Sequence, residues 1–514
     1  MKKTLSKTKA SIYNMLMSAA YQFVTALFGF VLPNLILNGY GANLHGYIST
    51  VSNVMGYIAL INAGLGSAAI QALYAPLAKK DGVRIGEVLK AIDRFYILSG
   101  CLYTLAVGIV AAIMPWVIGD QLPDIMLVAL MVVIGAGSTL ECFVYSKYRV
   151  FLQADQKLFI VSLVDLICYV IRCGLQIILI LNQCSVILVM LVPAIMVAVR
   201  AAMLCVYYRR NYPHIDRKGR PDYSALSHRK AAMIHQLGGL VVYNTDVTLL
   251  TIAGNLAEVS VYSVYNLVFH HLYQLLTNVF SHGIVASFGR LINENRRERL
   301  LRTYDLYELG YYSVITFVYS VTAAMILPFV SVYTREVKDV LYFRPVTAVL
   351  FVLIGIINNL RVPSITMVNA AGHFRQTQNH VVMEILINLG MSVCLLPFMG
   401  MNGLLVGTLC SFLYRTTITI IYAHRYILRV SLRKGVLRIA RVMVVILLSS
   451  GIYAAFIGDW QMNGWWEWIA YACVMSAISA SITLLTTWIA ERDAVKACVG
   501  ILLRRKKHAM HSKE

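Results

Sequence analysis

The chain has 514 residues, 59% of them hydrophobic and only 13% charged, with a formal net charge of +21 at pH 7. Soluble proteins carry about 45–50% apolar and about 25% charged residues, so the charge here cannot coat a water-exposed surface of this size. The composition excludes a soluble globular protein and implies helices that cross a bilayer, each needing about 20 apolar residues.

Apolar runs between charged or turn-rich breaks predict an all-α polytopic membrane protein with about 14 transmembrane helices. In chain order they lie at 11–38, 46–72, 93–118, 125–147, 158–182, 185–207, 235–255, 257–289, 305–333, 346–368, 379–398, 401–424, 439–458 and 467–489. The first follows a basic start, Met1-Lys2-Lys3. Its apolar run contains Asn14 and Gln22 and continues to about Leu37, which reads as an uncleaved membrane helix rather than a signal peptide. Basic residues then set the orientation, because cytoplasmic loops keep the positive charge. The N-terminus, alternate loops and the C-terminal tail hold 38 Lys and Arg, and the opposite loops hold three: Arg335, Lys338 and Arg344. Both termini are therefore expected on the cytoplasmic side of the cell membrane, as an even number of spans requires. The same asymmetry accounts for the net charge through anionic lipid headgroups, and no nucleic-acid partner is expected. Most of the ten cysteines lie inside apolar stretches and none forms a CxxC pair, so they read as small buried side chains, with no disulfide framework and no metal site.

The chain repeats internally. After the fourth helix comes Phe151-Leu-Gln-Ala-Asp-Gln-Lys157, a helix with Asp165 in its first third, and a second helix ending in Tyr208-Arg209-Arg210. After the tenth comes Ala370-Ala-Gly-His-Phe-Arg-Gln376, a helix with Glu384 in its first third, and a second ending in Tyr422-Ala-His-Arg425. Two six-helix lobes in parallel pseudo-repeat plus a terminal pair follow. The lobes are 1–210 and 235–430, joined by a basic cytoplasmic linker at 211–234; the terminal pair is 431–489, and a basic cytoplasmic tail is 490–514. Parallel repeats around a midplane site are one common transporter plan, suited to alternating access.

Four stretches resemble one known family. They are Asn34-Leu-Ile-Leu-Asn-Gly-Tyr-Gly41 with Gly46-Tyr47 and Asn62-Ala-Gly-Leu-Gly-Ser-Ala-Ala69; Tyr243-Asn-Thr-Asp246 with Glu258-Val-Ser-Val-Tyr-Ser-Val-Tyr-Asn266; Asn369-Ala-Ala-Gly-His-Phe-Arg375; and Glu384-Ile-Leu-Ile-Asn388 leading to Gly400-Met-Asn-Gly403. Over about residues 10 to 430 their order and spacing resemble the polysaccharide branch of the MOP (MATE-like) superfamily, the Wzx-type lipid-linked oligosaccharide flippases. The resemblance implies a carrier of an isoprenoid-diphosphate-linked oligosaccharide, moved from the inner to the outer leaflet for cell-surface polysaccharide biosynthesis. Polysaccharide polymerase or glycosyltransferase machinery would be its partners. The alternatives are a MATE-type cation-coupled multidrug antiporter and a peptidoglycan lipid-precursor flippase. An enzyme is not expected, since GxxxxGKS/T, HExxH, GxSxG and DxD motifs are missing and the outer loops are short.

A diphosphate crossing a low-dielectric region needs cations that keep their protons, and arginine offers a planar fork matched to phosphate oxygens. Arg172, Arg200, Arg361 and Arg415 lie within predicted spans and are the candidate substrate-binding cations. The plainer expectations are that Arg172 pairs with Asp165 two turns earlier on its helix, with Glu141 and Glu384 as further structural partners, and that Arg200, Arg361 and Arg415 snorkel to headgroups. Asp246, in Asn244-Thr245-Asp246, is the candidate site of proton or sodium coupling, since no other cofactor is implied. Asn266 and His270 are candidate polar cavity residues, although His270 and His271 point about 100° apart on a helix and make a poor metal pair. Interface anchoring is the expected role of most of the 31 tyrosines. Pro33, Pro193, Pro328 and Pro363 are expected bends, and Gly403 with Gly407 an expected close helix contact.

Overall fold

The structure, a computed structural model, describes residues 7–62, 65–79, 81–213, 215, 221–222, 244–281, 284–456 and 464–496. Most of the expected linker at 211–234 and tail at 490–514 lies outside the described residues. Helices account for all the regular structure among those described, and no strand occurs there. They run as α1 (Lys7–Tyr40), α2 (Ala42–Ile58), α3 (Leu65–Lys79), α4 (Gly82–Ile118), α5 (Asp124–Leu140), α6 (Ser146–Ala154), α7 (Leu158–Leu181), α8 (Val186–Asn211) and α9 (244–252). Then follow α10 (Leu256–Ser281), α11 (Ile284–Asn293), α12 (Arg297–Tyr333), α13 (Pro345–Leu360), α14 (Val362–Ala371), α15 (Phe374–Met399), α16 (Met401–Tyr422), α17 (Arg433–Phe456) and α18 (Trp465–Ala490). The chain is an all-α, multi-pass membrane protein.

Eleven helical stretches among the described residues are long and apolar enough to span a bilayer. The other three predicted segments depart for separate reasons. Segment 46–72 is divided: α2 stops at Ile58, a 3-10 turn covers Ala59–Asn62, and α3 resumes at Leu65. Only 244–255 of segment 235–255 is described, with 244–252 helical. Segment 257–289 splits into α10 and α11, and α10 carries Glu258, Asn266, His270, His271, Gln274 and Asn278, which lower its hydropathy.

Several helices outrun the apolar stretches that signalled them. With 37 residues α4 is about 55 Å long, well beyond a hydrocarbon core of about 30 Å. It starts at Gly82, where the Asp81 carboxylate accepts the Arg84 backbone N–H at 3.0 Å, so Arg84, Lys90 and Arg94 ride on the helix rather than a loop. Arginine and lysine are good helix formers, so the helix need not stop where hydrophobicity does. Conversely, predicted segment 346–368 breaks at Arg361, with Pro363 in the first turn of α14. The predicted fourth span ends in a π-helical turn, Glu141–Tyr145, between α5 and α6.

The chain packs as two compact units, Met1–Ser263 with Glu336–Val340, and Val264–Arg335 with Leu341–Glu514. α9 and the first turns of α10, which fall in the predicted second lobe, thus pack with the first unit. The contact is close: a Cβ at Gly46 on α2 would lie 1.9 Å from the Leu256 carbonyl oxygen, so only glycine fits there. In the second unit the expected glycine pair acts likewise. A Cβ at Gly403 or Gly407 would come within 2.5 Å of the Leu395 carbonyl oxygen or 2.4 Å of Ser392 Oγ, and α15 and α16 pack tightly along that seam.

The tyrosines depart from expectation. Tyr47, Tyr145, Tyr265, Tyr311, Tyr312 and Tyr319 are fully buried between helices. Their hydroxyls donate inward: Tyr47 to the Leu127 carbonyl at 2.6 Å, Tyr265 to that of Tyr342 at 2.8 Å, and Tyr312 to that of Leu360 at 2.9 Å. A buried hydroxyl needs such a partner; the Tyr47 and Tyr312 bonds join neighbouring helices, and the Tyr265 bond holds the connection before α13.

Candidate functional site

In the first unit, α7 and α8 bring charge into the interior. Asp165 and Arg172 lie seven residues apart on α7, yet Asp165 pairs with Arg200 of α8 instead, Nη1 to Oδ1 at 3.6 Å. Tyr145, from the π-helical turn, donates its hydroxyl to both Asp165 oxygens at 2.8 and 2.7 Å. Glu141 opens the same turn and places Oε1 3.6 Å from Arg200 Nη2. The Arg200 guanidinium lies over the Tyr145 ring, 4.4 Å from its centroid, and Arg172 lies 4.7 Å from that of Tyr169. The expected Arg172–Asp165 pair is therefore absent: among the described residues Arg172 forms no ion pair, and its buried Nε has no hydrogen-bond partner. Glu141, Asp165, Arg172 and Arg200 line one cavity of about 260 Å³.

In the second unit, Arg361 and Arg415 meet on one carboxylate. Arg361 sits at the break between α13 and α14 and donates from Nη1 to Glu384 Oε1 at 2.9 Å. Arg415, on α16, places Nε 3.5 Å from Glu384 Oε2 and donates from Nη1 to the Thr377 carbonyl at 3.3 Å. The side chains of Arg361, Arg415 and Glu384 are 12%, 7% and 8% exposed, so snorkelling to headgroups does not describe these arginines. Arg200, 19% exposed and paired, departs from it too.

Asp246 is buried on α9 and accepts the Tyr262 hydroxyl at 3.1 Å. Around it runs a polar seam absent from the sequence expectations. Thr50 and Thr251 hydroxyls meet at 2.8 Å, and His45 Nδ1 meets Ser260 Oγ at 2.7 Å, both buried. His45 stood in the sequence beside the Gly46-Tyr47 pair, with no periodic signal of its own. Asn266 is half-buried on α10; His270 is exposed one turn on and bonds Gln274, Nε2 to Nε2 at 2.8 Å. His271 turns away to the Leu267 carbonyl, with the two imidazoles 6.0 Å apart and 82° between planes. Among the described residues no three His, Cys, Asp or Glu side chains gather to hold a metal ion.

A third charge cluster went unanticipated. Arg438 counted as a loop cation in sequence but sits on α17 with its side chain 2% exposed. It reaches Glu308 at 2.8 Å and Asp305 at 2.9 Å on α12, and Glu491 through Nε at 2.9 Å with a second bond from Nη2. Arg441 and Lys434 also approach Glu491, at 3.3 and 3.8 Å. Burial pushes the Glu491 carboxyl up, but the Arg438 hydrogen bonds and the surrounding cations outweigh it and hold the group below its ordinary range. At the far end of α12, Trp465 and Trp468 of α18 pack edge-on against Phe329, 5.9 and 5.7 Å between centroids.

No protein-family model matches the sequence, and no curated protein matches it. Solved structures do. An inward-facing multidrug-resistance MATE transporter of the MOP superfamily aligns over 84% of this chain and 99% of its own, with TM-score 0.63 and 14% identity. The lipid II flippase MurJ, in an inward closed conformation, aligns over 94% of this chain and 100% of its own, with TM-score 0.60 and 13% identity. A MOP-superfamily transporter from Pyrococcus furiosus, described as having a binding pocket of reversed polarity, covers 85% of this chain and 97% of its own at TM-score 0.53 and 12% identity. Superposition over nearly the whole length of these proteins shows that the chain has the fold of MOP-superfamily transporters.

Proposed function

We propose that the chain is a flippase carrying an isoprenoid-diphosphate-linked oligosaccharide from the inner to the outer leaflet of the cytoplasmic membrane by alternating access, for cell-surface polysaccharide biosynthesis. The observation that carries the reading is Arg172: a guanidinium inside a membrane helix, lining a cavity, with no carboxylate paired to it among the described residues. A cation held within a membrane span without a paired carboxylate is costly, and an anionic ligand offsets that cost. In the second unit Arg361 and Arg415 converge on one carboxylate, Glu384, two bases on one acid. Diphosphate oxygens match arginine forks, whereas a cationic drug would be repelled by the two arginines of the second unit.

Asp246, enclosed and bonded to Tyr262, is the coupling site in this reading, exchanging a proton or sodium ion with the transport cycle. The bias of basic loop residues supports cytoplasmic termini, and in this reading a polymerase or glycosyltransferase takes up the cargo outside. Depletion of the protein tests the proposal: isoprenoid-linked oligosaccharides are profiled in lipid extracts beside surface polysaccharide. Accumulation of the full-length lipid-linked unit with loss of surface polymer is expected. Unchanged lipid intermediates with altered sensitivity to cationic drugs would overturn it in favour of an antiporter.

A further inference from the structure

A smaller cavity of the first unit shares no residue with the one that Arg172 and Arg200 line. It encloses about 160 Å³ and is walled chiefly by Lys90 and Asp93 of α4, Lys147, Tyr148 and Phe151 of α6, and Tyr208 of α8. Its level in the bilayer follows from the sequence: Asp93 opens the third apolar run, Lys147 closes the fourth and Tyr208 follows the sixth. Three helices thus leave the hydrocarbon at one place, the depth of the headgroups, and Arg94, Arg149, Arg209 and Arg210 continue the basic character there. The space is smaller than a drug-sized ligand needs and suits a headgroup.

One ion pair lines this cavity. Lys147 donates from Nζ to Asp93 Oδ1 at 2.7 Å, with the two side chains 19% and 31% exposed, so both still reach the space beside them. The bond exhausts neither group: an ammonium has three N–H donors, of which Asp93 takes one, and Asp93 Oδ2 has no partner among the described residues. The neighbouring pair shows what closure looks like. Lys157 and Asp155 meet at 2.7 Å, and the Tyr212 hydroxyl joins both, accepting from Lys157 at 2.6 Å and donating to Asp155. No such hydroxyl closes Lys147 on Asp93 among the described residues. Lys90, one turn before Asp93 on α4, adds a second ammonium. Lys147 Nζ stands 5.5 Å from the Tyr148 ring, and the rings of Tyr148 and Phe151 lie 5.6 and 5.1 Å from that of Tyr208. Donors for an anion therefore stand beside an acceptor and aromatic faces for a cation.

We propose that this cavity holds the phosphoethanolamine headgroup of a membrane phospholipid, with the phosphate at Lys147 and Lys90 and the ammonium at Asp93 Oδ2 beside the aromatic rings. A zwitterion laid against the Lys147–Asp93 pair meets the opposite charge at each end and hydrogen-bonds at both. A phosphoglycerol headgroup brings no cation to Asp93, and the quaternary ammonium of phosphocholine brings no N–H. The acyl chains have a path into the bilayer: Ile97 and Cys101, one and two turns on from Asp93, and Val144, one turn before Lys147, are exposed. The site lies apart from the cargo and does not depend on what the cargo is.

The test is native mass spectrometry of the full-length protein, delipidated in detergent and titrated with the dioleoyl forms of phosphatidylethanolamine, phosphatidylglycerol and phosphatidylcholine. Phosphatidylethanolamine is expected to bind about tenfold more tightly than either of the others, a difference of about 1.4 kcal/mol. Stepwise N-methylation of its amine lowers the affinity at each step, as N–H donors to Asp93 are lost. Asp93→Asn reverses the preference in favour of phosphatidylglycerol, because Lys147 then faces the cavity without its carboxylate, and the phosphatidylglycerol it binds shows that the variant is folded. Lys90→Gln weakens phosphatidylethanolamine and phosphatidylglycerol alike. Equal affinity of the native chain for the three lipids, or an unchanged order of preference in Asp93→Asn, would overturn the site and leave Lys147–Asp93 a purely structural pair. Soluble O-phosphoethanolamine binding as tightly as the lipid would overturn the assignment to a membrane phospholipid.

Discussion

The two repeats build the same charge triad with opposite sign. Asp165 and Glu384 each follow their repeat's entry motif by the same eight residues, and Arg200 and Arg415 precede the closing Tyr208 and Tyr422 by eight and seven. In both units that arginine pairs with that carboxylate, at 3.6 and 3.5 Å. The third member differs: Glu141, ten residues before Phe151, in the first unit, and Arg361, nine before Ala370, in the second. Both occupy a point where the helix departs from regular α geometry, a π turn in one case and a break in the other. One triad carries an excess acid and the other an excess base. In the first unit Arg172 balances that excess across a cavity, so the charge is spread over a space a ligand can enter. The second triad is closed on itself, with its acid saturated by two forks. The shared scaffold thus fixes where charge is buried, while a single position decides its sign.

The sharpest way to break the comparison is to remove the common carboxylate. Glu384→Gln leaves Arg361 and Arg415 facing each other without an anion, and losing one partner of a buried pair costs about 3–5 kcal/mol. The expected result is a large fall in apparent melting temperature of the purified protein. Asp165→Asn is expected to cost less, about 1.5–3 kcal/mol, because Arg200 keeps Glu141 and the new amide still accepts from Tyr145. Equal losses in the two variants would mean that the saturation of Glu384 has no energetic weight. Nearly equal and small losses would mean that both triads are hydrated.

How much of this was legible in the sequence depends on whether the information is local. Apolar runs, the repeated entry and exit motifs and the four arginines within them are local, and the structure keeps them. Pairing is not local. Seven residues on one helix make Asp165 and Arg172 plausible partners, but the guanidinium that reaches Asp165 arrives from the next helix, 35 residues later. Arg438 misled in the same way. Its neighbours Arg433, Lys434 and Arg441 make a basic run that reads as a solvated loop, and nothing near it announces Asp305 and Glu308, more than 100 residues earlier. Tyrosine composition likewise could not separate interface anchors from side chains whose hydroxyls bond a carbonyl on another helix.

The Arg438 cluster sharpens the contrast further, because it ties the terminal helices to α12 of the second unit at one end while tryptophans do so at the other. It surrounds three acids with three bases, so it differs from both triads in being balanced. Glu491→Gln should cost about 1–2 kcal/mol at neutral pH, the smallest of the three effects, since Arg438 keeps Glu308 and Asp305. The sign of its pH dependence follows from the lowered native value. Unfolded, Glu491 takes up its proton near its ordinary value of 4.5, whereas in the folded protein it does so only at lower pH. Its contribution is therefore complete above that ordinary value and disappears as pH falls through the folded one. Melting curves of the native chain and the Glu491→Gln variant should converge as pH drops below about 4.5 and stay separated at pH 7. Separation that persists at low pH would assign the effect to packing of the side chain rather than to its charge.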